Sequence, residues 1–526
     1  MSQMLKSSGA MAAATLASRV LGMVREMVYS NFMGITWVAG AFVMAFQVPN
    51  LFRRLLGEGA LTAAFIPIFK QKEVRDGEAE MWRAANAVIS GLVASAAVVT
   101  VLAVVGITIA LGLGIANDET RLMLRLLRLM FPYMLLVCLA AVLIGMANAR
   151  GHFFVPALGA VILNVVMIGS VLFLAPRMGP TLDRQIFGLA IGVVLAGLAQ
   201  AFFQLPSLSR EGYRYHWVSP WRDPTVREVV RKMLPGSIGV AAFQVNVLLT
   251  QIFSFWFDPS IVSTFNYSVR LMELPQGMFG ISLATYLLPT LAGLAAEKNY
   301  PEFRQTLSQG LSYLAFGNLL AAAISTSLAV PIVRLIFEHG KFGPDATARA
   351  ALALACLAPG LLMFSMNNIL ARAFYALSDI KTPMKISIFC LCVNLAFAFL
   401  LLKYFAGTRV KGEAGLAIAN TLTACFNVVL LVYGLRRKLV RLGLKSFANT
   451  LLVLLPNALL TGVVAAVLGW LWETRLGHAG LALKLGAVFV PGAVACAVYW
   501  AVALRLKVPA AREMSDLVLR KVRRAS

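Results

Sequence analysis

The chain has 526 residues, 60% of them hydrophobic and only 13% charged, with a mean hydropathy of +0.79. A soluble domain carries about 25% charged residues, so this composition argues against a water-soluble helical array, which would need polar faces at a 3.6-residue period. The net charge of +24 would point to nucleic acid in a soluble protein; with no platform of aromatics interleaved with bases, it points here to basic loops on one side of a membrane.

Taken in chain order, the apolar blocks predict fourteen spans, at residues 8–32, 36–68, 84–114, 122–148, 155–176, 186–208, 230–256, 262–294, 305–336, 346–376, 384–404, 413–435, 447–472 and 482–505. Runs such as 156–175 and 483–504 are long enough to cross a hydrocarbon core of ~30 Å as helices. The fold class expected is an all-α polytopic membrane protein. The loops after even-numbered spans and the C-terminal tail hold roughly 27 lysines and arginines, against about 9 after odd-numbered spans, which predicts cytoplasmic termini. The longest loop, 209–229, carries Trp217, Pro220 and Trp221 and reads as an amphipathic, surface-lying linker. It separates an N-terminal lobe (1–208, spans 1–6) from a C-terminal lobe (230–436, spans 7–12), followed by spans 13 and 14 (437–505) and a basic tail (506–526). A mid-span Pro49, and later Pro275 after Arg270, give a weak internal symmetry of the kind seen in secondary transporters.

Other signals are quiet. The six cysteines all lie in apolar stretches, as reduced buried thiols do, and the four histidines lack ligand spacing, so neither a metal nor a cofactor is expected. The N-terminus lacks a small-residue cleavage site, and its first apolar stretch reads as a retained span. Walker A, GxSxG and HExxH motifs are missing, and Asp379 in "YALSDIKTP" reads as a helix-end cap rather than an active-site acid.

The anomaly is charge inside the spans. Span 1 contains Arg19, Arg25 and Glu26; span 2 contains Arg53, Arg54 and Glu58; span 8 contains Arg270 and Glu273. An arginine at the bilayer centre costs about 2.5–3.5 kcal/mol on insertion scales, so each must face water, a partner or the interface. Arg54 with Glu58 (i,i+4) and Arg270 with Glu273 (i,i+3) can pair along their helices, and Arg53 and Arg54 can snorkel from a span end. Arg19 and Arg25, six residues apart, differ by about 120° in direction and about 9 Å along the axis, so both can border a wide cavity but not a narrow groove. Five arginines against three glutamates leave about two positive charges uncompensated. An anionic substrate is the simplest partner, because guanidinium binds phosphate bidentately.

The motifs "SRVLGMVRE" (18–26), "FQVPNLFRRLLGEGALTAAFIP" (46–67), "FPYMLL" (131–136), "VPALGAVILNVVMIG" (155–169), "RLMELPQGMFGISLATYLLP" (270–289), "HGKF" (339–342) and "ARAFYALSDIKTPMKI" (371–386) occur in this order. Together they resemble the MurJ (MviN) lipid II flippases of the multidrug/oligosaccharidyl-lipid/polysaccharide exporter superfamily. The resemblance implies two six-helix lobes around a central cavity, with two extra C-terminal helices forming a groove for the prenyl tail. It implies alternating access that carries the undecaprenyl-pyrophosphate-linked disaccharide-pentapeptide to the periplasmic leaflet of the bacterial inner membrane, in support of peptidoglycan synthesis, cell shape and division. It further implies substrate binding by Arg19, Arg25, Arg53 and Arg270, with Ser18, Glu26, Asn50, Arg54, Glu58 and Glu273 as gate or supporting residues. Membrane lipid and cell-wall synthesis proteins are the other partners it implies, nucleic acid not among them.

The sequence departs from the family pattern at Gly40, where an acid is common, and at Gln47, where a base is common. Asn394 fits the first ligand of a sodium site that some relatives possess, but Ala398 stands where the second is expected, which leaves the membrane potential as the expected driving force. Two other functions remain compatible with the residues: export of another polyprenyl-linked glycan, and a non-transporting membrane scaffold for cell-wall synthesis.

Overall fold

The computed structural model describes residues 2–55, 61–114, 116–405, 412–439, 442–443, 445–513 and 515–516. Helices dominate, and no strand occurs among the described residues. The chain packs into two compact units, one of residues 1–263 with 339–342, the other of residues 264–338 with 343–526.

The first unit contains α1 (Ser2–Met33), α2 (Trp37–Phe52), α3 (Leu61–Asp76), α4 (Glu78–Gly112), α5 (Asp118–Met130), α6 (Tyr133–Ala149), α7 (Phe154–Gly169), α8 (Leu182–Phe202), α9 (Leu205–Arg210) and α10 (Pro224–Phe257), and ends inside α11 (Pro259–Pro275). The second unit takes up the rest of α11, then α12 (Ser282–Ala296), α13 (Tyr300–Ser327), α14 (Ala329–Phe337), α15 (Pro344–Leu357), α16 (Leu361–Ala376), α17 (Lys381–Phe405), α18 (Gly412–Leu439), α19 (Lys445–Arg475) and α20 (Leu481–Arg505). Each of the fourteen predicted spans falls on one helix or on consecutive helices of this series. Ten described stretches are long and apolar enough to cross a membrane, and α5 with α6 forms an eleventh if their 40° bend is counted as one span.

The breaks within spans have local causes. Pro132 separates α5 from α6; proline lacks the N–H that would continue the helix. A π-helical segment follows α7 at Ser170–Leu174, where the Ser170 hydroxyl donates to the Val166 carbonyl at 2.7 Å and so satisfies a freed backbone group. Another, Gln276–Ile281, follows Pro275. Small residues permit close packing at such points: a Cβ on Gly192 of α8 would lie 2.2 Å from Ser170 Oγ. Polar starts are capped, Thr36 Oγ1 accepting from Ala39 N at 3.3 Å and Asn117 Oδ1 from Thr120 N at 3.0 Å.

In the first unit the core is built by α2, α5, α6 and α8 around Phe42, Met130, Tyr133 and Leu189. α10, which the sequence reading places at the head of the C-terminal lobe, packs here on α2, α3 and α4. In the second unit Phe303, Leu311, Phe374 and Tyr499 centre the core, and the Tyr499 hydroxyl donates to the Phe316 carbonyl at 2.9 Å, tying α20 to α13. α19 and α20 are joined by Asn457 Nδ2 donating to the Tyr499 carbonyl at 3.0 Å. The outer faces are apolar, as a lipid contact requires: only 6% of the most apolar window of α4 is buried within the chain.

The connection between α9 and α10 has no regular secondary structure over 213–220. It is strapped to α4. The fully buried Asn86 donates through Nδ2 to the Arg214 carbonyl (3.0 Å) and meets His216 Nδ1 (2.9 Å), while the Ser90 hydroxyl, also buried, accepts from Val218 N (3.3 Å) and hydrogen-bonds the Tyr215 hydroxyl (3.2 Å).

Candidate functional site

In the first unit, α1 carries Ser18, Arg19, Arg25 and Glu26. The helix lies against α7, where Asn164 Nδ2 donates to the Ser18 carbonyl at 3.2 Å. Ser18 is thus held by its backbone. Arg19, next along the helix, is exposed and makes no hydrogen bond or ion pair to any described residue. Arg25 is half-buried. Its Nη2 pairs with the buried Glu26 at 2.6 Å, its guanidinium lies 5.6 Å from the centre of the Tyr29 ring, and its Nε has no hydrogen-bond partner. A guanidinium has five donors, so this arrangement leaves capacity for a further acceptor.

The second arginine motif begins where α2 ends. Asn50 is buried, and its Oδ1 accepts from Arg53 Nε at 2.9 Å, which orients that side chain. Arg53 and Arg54 lie in a short π-helical turn, 53–55, and are both half-buried. Glu58 lies outside the described residues. Arg25 and Arg53 both come within electrostatic range of α6, Arg25 at Tyr133 and Arg53 at Cys138.

In the second unit, Arg270 Nη1 donates to Glu273 Oε2 at 2.9 Å, both side chains being partly exposed. The along-helix pairing weighed from the spacing is therefore realised.

The departure at Gly40 has a steric reason. A Cβ there would stand 1.9 Å from the carbonyl oxygen of Pro259, so α2 and the start of α11 approach too closely for any larger residue, an acid included. Asn394 is buried, and its Oδ1 accepts from Thr423 Oγ1 at 3.1 Å, bridging α17 and α18. Asp379 caps α17 by accepting from Thr382 N at 3.0 Å; it also pairs with Lys438, and these contacts outweigh partial burial and hold its carboxyl down at about 2. The HGKF motif belongs to the first unit: Lys341 N donates to the Asn31 carbonyl at 3.0 Å, and a Cβ on Gly340, whose φ is +56°, would overlap Asn31.

Several charged groups escaped the sequence reading. Arg150 pairs with Glu73, with Glu78 (3.0 Å) and with Glu211 (2.9 Å), and its guanidinium lies 5.9 Å from the Trp82 ring centre. His152 Nε2 meets Glu211 at 2.7 Å. Hydrogen bonds from His152 and Arg150 lower the Glu211 carboxyl, and Lys70, with Arg150, lowers Glu73. The partners are about 60 to 80 positions apart, so spacing carries no signal for them. Arg125 and Arg128 fall within predicted span 4 but ride the exposed face of α5, opposite Leu122, Leu126 and Met130; their i,i+3 spacing was the available sign. Arg349 forms a two-pronged pair with the fully buried Glu413, at 2.5 and 3.2 Å.

Residues 29–514 match the family described as lipid II flippase MurJ. A protein of Haemophilus influenzae described as a probable lipid II flippase MurJ is 32% identical over 484 residues, covering 88% of this chain and 92% of that protein. The lipid II flippase MurJ of Burkholderia cenocepacia is 33% identical over 436 residues, covering 81% and 82%. Among solved structures, a lipid II flippase MurJ in an inward closed conformation aligns with a TM-score of 0.75 at 20% identity, covering 95% of this chain and 99% of that one. An inward-facing multidrug resistance MATE family transporter of the MOP superfamily aligns with a TM-score of 0.65 at 13% identity, covering 83% and 99%.

Proposed function

The chain belongs to the MurJ family of lipid II flippases, and from that premise we propose that it moves lipid II from the cytoplasmic to the periplasmic leaflet of the bacterial inner membrane by alternating access. The family match across nearly the whole chain carries this reading. The loop-charge bias sets the orientation, with both termini cytoplasmic.

Pyrophosphate binding falls to Arg19, Arg25 and Arg270, with Arg53 assisting. The observation that supports this role is the state of α1: an exposed Arg19 with no counter-ion among the described residues, one and two-thirds turns from an Arg25 whose buried Nε has no hydrogen-bond partner among them. A diphosphate supplies the missing negative charge and several acceptors in bidentate geometry. The Arg270–Glu273 pair (2.9 Å) is exposed enough to open toward such an anion. Glu26 and Asn50 act as positioning groups for Arg25 and Arg53, respectively. The prenyl tail stays in lipid, against the apolar faces of α19 and α20, where Leu452 and Leu459 of the first and Phe489 and Val490 of the second are exposed.

Complementation in cells depleted of their own flippase tests this. Arg19→Ala and Arg270→Ala are each expected to cut lipid II export at least about tenfold, the effect of losing one charge-assisted phosphate contact. Lysine at the same positions separates simple charge, which it keeps, from bidentate geometry, which it loses. Wild-type export by both alanine variants would remove the arginines from the mechanism and favour a scaffold role.

A further inference from the structure

A groove of about 750 Å³ opens in the first unit between α3, α4, the linker and the first turns of α10. Its walls are apolar, with Leu92 of α4, Trp221 of the linker, and Val230 and Leu234 of α10 among them. Gly91 also lines it, and a Cβ there would stand 3.1 Å from Pro220 Cβ. Trp221, Val230 and Leu234 are all exposed, at 72%, 42% and 54%. The groove thus opens beside α4, the span least covered by the rest of the chain, and an indole at its mouth is characteristic of the membrane–water interface.

Two arginines line the same groove. Arg227 and Arg231 are one helical turn apart on α10, on one face and about 6 Å apart along the axis. Like charges at this spacing repel, and the neighbouring acids are engaged elsewhere. Asp223 accepts from Thr225 N and Val226 N as the cap of α10 and pairs with Arg83 at 3.0 Å. Glu228 pairs with Lys232 at 2.7 Å. Neither the Arg227 nor the Arg231 guanidinium has a carboxylate or hydrogen-bonding partner among the described residues.

We infer that this groove binds an anionic phospholipid of the leaflet on the linker's side, with the headgroup phosphate between Arg227 and Arg231 and an acyl chain along Leu92, Val230 and Leu234. A free phosphate satisfies the arginines but leaves the apolar walls wet, and a zwitterionic lipid brings a cation next to two others. Only a lipid with net negative charge matches both halves. The site stands apart from α1 and does not depend on the arginines assigned to transport.

Native mass spectrometry of the purified full-length protein, titrated with dioleoyl phosphatidylglycerol and separately with dioleoyl phosphatidylcholine, tests it. Phosphatidylglycerol is expected to bind about tenfold more tightly. The double variant Arg227→Gln/Arg231→Gln should bring it down to the phosphatidylcholine level, since each basic residue near a charged lipid contributes comparably. Val230→Trp, an exposed position, fills the groove and should weaken both lipids. Unchanged phosphatidylglycerol binding in both variants overturns the site. So does displacement of the lipid by inorganic phosphate alone, and so does one-for-one displacement by lipid II, which would make the groove part of the transport path.

Discussion

Arg150 and Arg19 sit in the same compact unit and have opposite surroundings. Arg150 is clasped by Glu73, Glu78 and Glu211 and rests near Trp82; Arg19 meets no acid among the described residues and stands exposed on α1. The same side chain therefore does two jobs. Where arginines meet carboxylates from distant parts of the chain, they fix loops and helix ends. Under the function proposed above, where they lack them the charge is held available for an anion that is not protein. The distinction is physical: a paired guanidinium has spent its donors, whereas an open one keeps them directed outward.

Pairing is deepest at Arg349 and Glu413. Glu413 is fully buried, so Arg349→Ala leaves an uncompensated carboxylate and should cost about 3–5 kcal/mol, read as a collapse in melting temperature in detergent. If Arg349→Ala melted like the wild type, the pair would not be structural. Arg150→Ala comes next. Its carboxylates are partly exposed and retain other partners, Lys70 on Glu73 and His152 on Glu211, so the expected loss is about 1–2 kcal/mol, with lipid II export reduced only through protein abundance. A specific transport defect at normal abundance would move Arg150 into the functional group.

The smallest effect is at Asp379. Its folded-state carboxyl is depressed to about 2, below its ordinary 3.8, so its contribution is complete above about pH 4 and is lost as pH falls from there toward 2. Asp379→Asn keeps the cap but not the Lys438 pair, so it should cost less than about 1 kcal/mol. The gap in melting temperature between Asp379→Asn and wild type should be constant from pH 7 to 5 and narrow below pH 4. A gap that widened on acidification would reverse the sign and exclude this account.

The legible and illegible parts of the molecule divide along the same line. The apolar blocks were legible as helices because run length decides whether a helix can span, although only ten or eleven of the described stretches are long and apolar enough to do so. The helix-end role of Asp379 was also legible, since a cap is a local event within three residues. The break at Ser170–Leu174 was not, because a π turn depends on what packs beside it. Gly40 looked like a departure from pattern until Pro259, more than two hundred residues on, supplied the reason. The arginines of α1 and α11 were found from their cost in lipid, a property of one residue in its segment. The Arg150 cluster and the placement of α10 were hidden because both arise from contacts across long separations.

The strap between α9 and α10 changes how the longest connection should be regarded. Eight residues could reach roughly 25 Å if slack and extended, but Asn86 and Ser90 pin them at successive points along α4. A pinned segment has no slack to give. It behaves as an inlaid splint, transmitting displacement from α4 to the start of α10 instead of absorbing it, and it makes this loop a poor place to splice in a reporter despite its length.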